Sequence, residues 1–229
     1  MAFLNLGIKS ELPKAVSWTD TMAKQLAFAT SQALNSVAFD ARTSVNSSTR
    51  QYFQSPTNFT QKAFFVQKSS KSTLQAIVFA ESAAGRDRAR YLRYGIHGGT
   101  RPQKGFERKF LAEVVGTRSI PSGAQLVPTS YVRVNASGNV ALETIKRIQK
   151  GLNTKGTGTF FVGIPKGREG PPGIYRRSKG RLFPYFIATD KQAKYRERFP
   201  IGDIVDKVVD RRFSGYFLSS LEKALASAR

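Results

Sequence analysis

Two helical stripes bracket a middle of short apolar runs, and that arrangement limits the fold more than any other feature of the chain. From Thr19 to about Thr49, apolar residues recur at steps of three and four: Met22, Leu26, Ala29, Ala33, Val37, Ala41 and Val45. That spacing predicts one helix with one apolar face. Ser17 or Thr19 suits its cap, and Asp20 suits its first turn. The stripe is rich in alanine, so the helix can lie close against a sheet. From Asp203 to about Ala228 a second stripe runs through Ile204, Val205, Val208, Val209, Phe213, Phe217, Leu221 and Leu225. Asp203 is its expected N-cap. Gly215 inside it costs about 1 kcal/mol relative to alanine and allows a bend.

Between the stripes the signals are short. Ala63–Lys68 and Thr73–Ala80 read as strands joined by a turn at Ser69–Ser72. A pair of basic helices is expected from Arg86 to Val115, broken near Gly95–Gly105 and stopped by Gly116. Gln125–Val134 reads as a strand whose Pro128 demotes its first half to an edge or a bulge. Asn135–Asn139 carries turn chemistry. Ala141–Lys150 is an amphipathic helix using Leu142, Ile145 and Ile148. Phe160–Ile164, Gly173–Arg177 and Leu182–Thr189 read as further strands, the last two joined through Ser178–Arg181. This order predicts an α+β fold, with an antiparallel or mixed β-sheet packed by a long N-terminal helix and a long C-terminal helix. Residues 1–18 are expected as an N-terminal arm. Residues 19–229 are expected as a single domain with mobile loops near 95–105 and 151–172.

Enzyme chemistry finds little to work with. The chain has 229 residues, one histidine and no cysteine, which excludes disulfides, thiolate chemistry and zinc-finger frameworks. Gly156-Thr-Gly158 lacks the third glycine of a dinucleotide fingerprint and precedes a strand instead of following one. Lys166–Gly170 lacks the order of a phosphate-binding P-loop. Asp87, Glu107, Glu197 and Asp210 lie beside Arg or Lys and read as solvated ion pairs. No catalytic group, metal or cofactor is expected. No apolar run approaches the roughly 20 residues that span a bilayer, and the N-terminus lacks the order of a signal peptide. A chain in the cytoplasm, with no membrane partner, is expected.

Charge is the remaining functional signal. Lys and Arg number 37 against 15 Asp and Glu, for a net charge of +22. Such a balance points to a polyanionic partner. One basic cluster holds Arg86, Arg88, Arg90, Arg93, Arg101, Lys104, Arg108 and Lys109. A second holds Lys166, Arg168, Arg176, Arg177, Lys179 and Arg181. Tyr91, Tyr94, Tyr175 and Tyr185 lie among them. Arg and Lys neutralise phosphates, and aromatic rings stack on unpaired bases. Arg with Tyr is also what protein interfaces favour, and a solvated basic face fits the same residues. His97, Gly98 and Gly99 read as a structural corner between the two basic helices.

Several blocks, taken in order, resemble the minor tail protein Z family of tailed bacteriophages, also described as tail-completion or neck proteins. They are Gln25-Leu-Ala-Phe-Ala29 with Ala33-Leu-Asn35, and Phe53 through Pro56-Thr57 and Phe59-Thr60. Tyr91-Leu92 with Gly98-Gly99, Arg101, Lys104 and Phe106-Glu107 follow, then Val127-Pro128 with Gly138-Asn139. Pro172-Gly173-Ile174-Tyr175-Arg176 and Tyr195-Arg196-Glu-Arg198-Phe199 come next, and Ala224-Leu225-Ala-Ser-Ala-Arg229 closes the series. At Gln54 and Ser55 the chain departs from the acidic–basic pair usual there. The resemblance implies a non-enzymatic virion protein at the head–tail junction. It implies a sixfold or twelvefold ring around the DNA channel, built on head-to-tail interfaces that close. Portal, connector and tail proteins would be its partners, with contact to packaged DNA. The basic residues would then meet acidic faces of neighbouring proteins or line the channel. A standalone basic nucleic-acid-binding protein is the alternative.

Overall fold

The computed structural model describes residues 5–9, 20–80, 82–83, 86–112, 123–152, 158–165 and 170–227. Its elements run β1 (Asn5–Lys9), α1 (Asp20–Tyr52), α2 (Asn58–Gln61), β2 (Phe64–Gln67), β3 (Gln75–Ala80), β4 (Ser82–Ala83), β5 (Arg86–Asp87) and α3 (Arg88–His97). They continue β6 (Gly99–Thr100), α4 (Gly105–Ala112), β7 (Gln125–Pro128), α5 (Leu142–Leu152), β8 (Phe160–Gly163), β9 (Gly173–Ser178), β10 (Arg181–Thr189), β11 (Lys194–Tyr195) and α6 (Ile201–Ser227). The fold is α+β. The expected caps Ser17 and Thr19, the stop at Gly116, and residues 153–157 and 166–169 lie outside the described residues.

The chain gathers into two compact units where one domain over 19–229 is expected. One unit joins residues 1–98 to 196–229; the other is the continuous run Gly99–Tyr195. Hydrophobic periodicity marks elements, not which elements share a core, so this division has no signature in the stripes.

In the first unit, α1 lies against the antiparallel sheet β1-β3-β2 and against α6. The expected stripe is the buried one: Ala29, Ala33, Val37, Ala41 and Val45 are all fully buried. Small side chains bring the helix backbone close to the sheet, and two asparagines exploit that closeness. Asn35 donates to the Ser69 carbonyl and accepts from its N–H at 3.2 and 2.7 Å. Asn46 does the same for Phe64, at 3.2 Å each. The first residue of β2 and the turn that follows the strand are thereby tied to one helix, satisfying their backbone groups. Phe199, fully buried, meets Tyr52, Phe53 and Phe64 at ring-centroid distances of 5.3–6.0 Å.

Three expectations change here. β1, expected as part of an arm, pairs antiparallel with β3 from Asn5↔Phe79 to Lys9↔Gln75. Helix α6 starts two residues earlier than expected, so Asp203 sits inside its first turn and complements the helix dipole instead of capping it. Ala224 is buried where the stripe put Leu225, which is exposed.

The second unit is a four-stranded antiparallel sheet, β7-β10-β9-β8, with α5 on β8. Its core holds Phe110, Leu126, Ile148, Ile174 and Phe186. Pro128 lies on the edge strand β7, as its missing N–H demands. That strand ends there, six residues short of expectation. Thr129 turns the chain by bonding the Pro184 and Tyr185 carbonyls. Val134 and Val140 then bridge across the expected Asn135 turn. Leu142, expected on the apolar face of α5, is exposed. At the start and end of the unit, β6, which falls in the stretch 95–105 expected as a mobile loop, pairs with β11 (Gly99↔Tyr195, Thr100↔Lys194).

Candidate functional site

The structure sorts the basic residues into those spent internally and those presented outward. On α3, the half-buried Arg88 is spent internally. Its guanidinium sits 4.5 Å from the Phe59 ring centroid and 5.1 Å from that of Phe65. Its Nη1 donates to the Lys62 carbonyl at 3.0 Å. A cation on two aromatic faces is held by their quadrupoles. Arg93 and His97 are exposed; Arg86 lies on β5 and Arg90 on α3. Tyr91 stacks on Phe59 at 6.4 Å, and its hydroxyl bonds that of Thr60. Gly98 and Gly99 have φ of 65° and 103°. A left-handed residue just past the last helical position is the usual glycine stop, so the corner expected at 97–99 is a helix terminus.

Arg101 is the clearest correction. Expected in an outward basic patch, it forms a two-pronged ion pair with Glu107: Nη1 to Oε2 and Nη2 to Oε1, both 3.1 Å. The Glu107 side chain is 1% exposed and that of Arg101 16%. The carboxylate also accepts from the backbone N–H groups of Lys104 and Leu126. Gln125 completes the knot, accepting from Arg101 Nη2 at 3.0 Å and donating to the Arg101 carbonyl at 2.8 Å. Burial works against the Arg101 charge, but the hydrogen bond and attraction from Glu107 outweigh it and hold its pKa above the ordinary value. Glu107, expected as a solvated partner, is a structural anion. Arg108 and the Lys104 side chain remain exposed.

The second cluster divides between two faces of one sheet. Successive strand residues point to opposite sides, so Arg176 and Arg177 part company. Arg177 lies 4.6 Å from the Phe161 ring centroid, and its Nη1 donates to the Gly158 carbonyl at 3.3 Å. Arg176 faces the other way, where its Nη1 donates to the Tyr185 hydroxyl at 3.2 Å. Lys179 and Gly180 form the two-residue β9–β10 turn, both with positive φ (47° and 72°), as hairpin twist requires. Lys179 and Arg181 are exposed at its tip. Lys166 and Arg168 lie outside the described residues.

Around Arg176 the structure assembles a site that the basic clusters in the sequence do not contain. A cavity of about 300 Å³ is lined by Arg147, Lys150, Gly151, Thr159, Phe160 and Arg176. Arg147 and Lys150 are one turn apart on α5, so they share a face. They reach the sheet because Gly151 lets the helix come close: a Cβ there would stand 2.7 Å from Phe160 Cδ2. Phe160 is buried and packs edge-on against Tyr185 at 5.1 Å. The same tyrosine hydroxyl orients Arg176. The available signal was in α5 itself, whose cations lie off the Ile145–Ile148–Leu152 face.

Among the described residues, no three His, Cys, Asp or Glu gather to hold a metal ion, and no helix is long and apolar enough to cross a membrane. No protein-family model matches the chain, and no curated protein or solved structure matches it significantly.

Proposed function

We propose that this chain is a structural, non-enzymatic protein of a tailed-phage particle, one subunit of a ring at the head–tail junction around the DNA channel. The order of sequence blocks from Gln25 to Phe199 supports the reading. One structural observation carries it furthest: among the described residues, β7 is paired on one side only, with β10. Val127, on edge strand β7, is 50% exposed; Tyr131, Val134 and Leu142, which follow it in the chain, are 53%, 48% and 63% exposed. An edge strand followed in the chain by exposed apolar and aromatic side chains suits contact with a neighbour. A second copy is the occupant that a ring supplies, through a head-to-tail contact. Arg93, Arg108, Lys179 and Arg181 would steer assembly against acidic faces of portal, connector or tail proteins.

Quantitative mass spectrometry of purified particles, counting this chain against the portal protein, tests the reading. Six or twelve copies per particle are expected. Absence from particles overturns it.

The second reading, a standalone nucleic-acid-binding protein, is favoured by the cationic cavity at Arg147, Lys150 and Arg176. It predicts binding of DNA at physiological salt with a steep salt dependence and no copurifying portal or tail protein.

A further inference from the structure

We infer that the cavity between α5 and β8–β9 is a binding site for a phosphate monoester group. The inference stands on the cavity alone and does not depend on which of the two functional readings holds. Arg147 and Lys150 approach from the helix and Arg176 from the strand, with Thr159 beside them and no acidic residue among the described lining residues. The three cations are exposed around one concavity. Their summed positive field attracts an anion, a dianion most.

The shape of the donor set selects among anions. A phosphate monoester carries a charge of about −1.5 to −2 at neutral pH and three acceptor oxygens, one for each cation. A carboxylate offers two oxygens and a single charge, and a backbone phosphodiester offers two unbridged oxygens. Guanidinium groups bind phosphate in a two-pronged fashion, and Arg176 is already held in place by the Tyr185 hydroxyl. Recognition stops at the phosphate. The one aromatic ring among the described lining residues, Phe160, is 4% exposed and committed to Tyr185, so it offers no face for a base to stack upon. A ligand is therefore held by its phosphate, whatever its base. Inorganic phosphate and the 5′-terminal phosphate of a nucleic-acid strand share this chemistry.

The test measures binding of the full chain, in phosphate-free buffer, to three probes: inorganic phosphate, and one DNA oligonucleotide carrying either a 5′-phosphate or a 5′-hydroxyl. Wild type is expected to prefer the 5′-phosphorylated oligonucleotide by about tenfold, the effect of a charge-assisted bond. The triple variant Arg147→Gln, Lys150→Gln, Arg176→Gln should lose that preference. A control with the same charge change on exposed positions of α6, Lys207→Gln, Arg211→Gln, Lys223→Gln, should keep it. Saturable inorganic phosphate binding, lost in the triple variant but without an oligonucleotide preference, supports the site and assigns it to free phosphate. Equal binding of both oligonucleotides with no phosphate binding overturns the proposal, as does a triple variant that retains the preference. Displacement of bound probe by polyglutamate as readily as by inorganic phosphate also overturns it, in favour of an acidic protein partner. Thermal unfolding of each variant establishes that all three chains compared are folded.

Discussion

Glu107 and Arg101 face each other across a six-residue reach, joined by two parallel bonds of 3.1 Å with the carboxylate almost wholly buried. The pair binds the lead-in to α4 to strand β7, because Glu107 and Gln125 also hold backbone groups on both sides. Desolvation offsets part of the attraction, so the net contribution of the pair is smaller than its two bonds suggest.

Removing one partner is therefore worse than removing both. Glu107→Ala should destabilise the second unit by about 2–4 kcal/mol, leaving a half-buried guanidinium and the Lys104 and Leu126 N–H groups without their acceptor. Arg101→Lys keeps the charge but loses the fork and should cost less. The double variant Arg101→Met, Glu107→Leu should recover part of the loss, because the Lys104 and Leu126 N–H groups still lack their acceptor. Hydrogen exchange across residues 99–195 reads the outcome. A loss below about 1 kcal/mol for Glu107→Ala would show that the pair is merely an exposed contact.

Arg88 and Arg93 lie on the same helix and look alike in the sequence, yet neutralising them should have different effects. Arg88→Ala removes two ring contacts and a bond to the Lys62 carbonyl. It should destabilise the first unit by about 1–2 kcal/mol. Arg93→Ala, at an exposed position, should stay within about 0.5 kcal/mol. Denaturant titration of the two variants compares them, and equal losses would reject this division of labour.

What the sequence reveals here follows the range of the physics involved. The α1 stripe is legible because its period of 3.6 is written in consecutive residues, from Ala29 to Val45. The β9–β10 hairpin is legible for the same reason: Lys179-Gly180 is a local turn between alternating runs. The edge position of Pro128 also follows from one residue's chemistry. β1 is not legible, because NLGIK has little pattern of its own and gains strand structure only by pairing with β3, some 70 residues away. Glu107 is misread for a related reason. Beside Arg108 it resembles a surface ion pair, and only the folded corner brings Arg101 and Gln125 around it. The cavity at Arg176 combines a helix, a strand and a glycine contact that no linear cluster of charge displays.

The Tyr216 hydroxyl donates to Asp40 Oδ2 at 2.7 Å, linking α6 to α1. That hydrogen bond, followed by burial and the Asp40 charge, raises the Tyr216 pKa, while Arg212 opposes it. The sign follows from linkage: a phenol whose folded pKa is raised contributes stability that is complete below its unfolded pKa, near 10, and is lost as pH rises through the folded value. Tyr216→Phe should therefore lower the unfolding midpoint by a constant amount between pH 7 and 9. The gap between wild type and variant should narrow above pH 10. A gap that is absent at pH 7, or that widens in alkali, would contradict the assignment.

Gly151 and Gly215 both sit in helices, and alanine should act on them in opposite directions. At Gly215 nothing lies within 4 Å of the added Cβ. Helix propensity alone acts there, so Gly215→Ala should stabilise α6 by about 1 kcal/mol. At Gly151 the added Cβ would stand 2.7 Å from Phe160, a ring buried beneath the cavity and braced by Tyr185. At that distance the ring or the helix must shift, and overpacking of this kind costs about 1–3 kcal/mol. Gly151→Ala should therefore lower the unfolding midpoint of the second unit. It should also shift Arg147 and Lys150 away from Arg176, weakening phosphate binding beyond what the stability loss explains. Calorimetry of both variants, with phosphate titration of Gly151→Ala, measures both effects. If Gly151→Ala is as benign as Gly215→Ala, the close seating of α5 on β8 is not what builds the cavity.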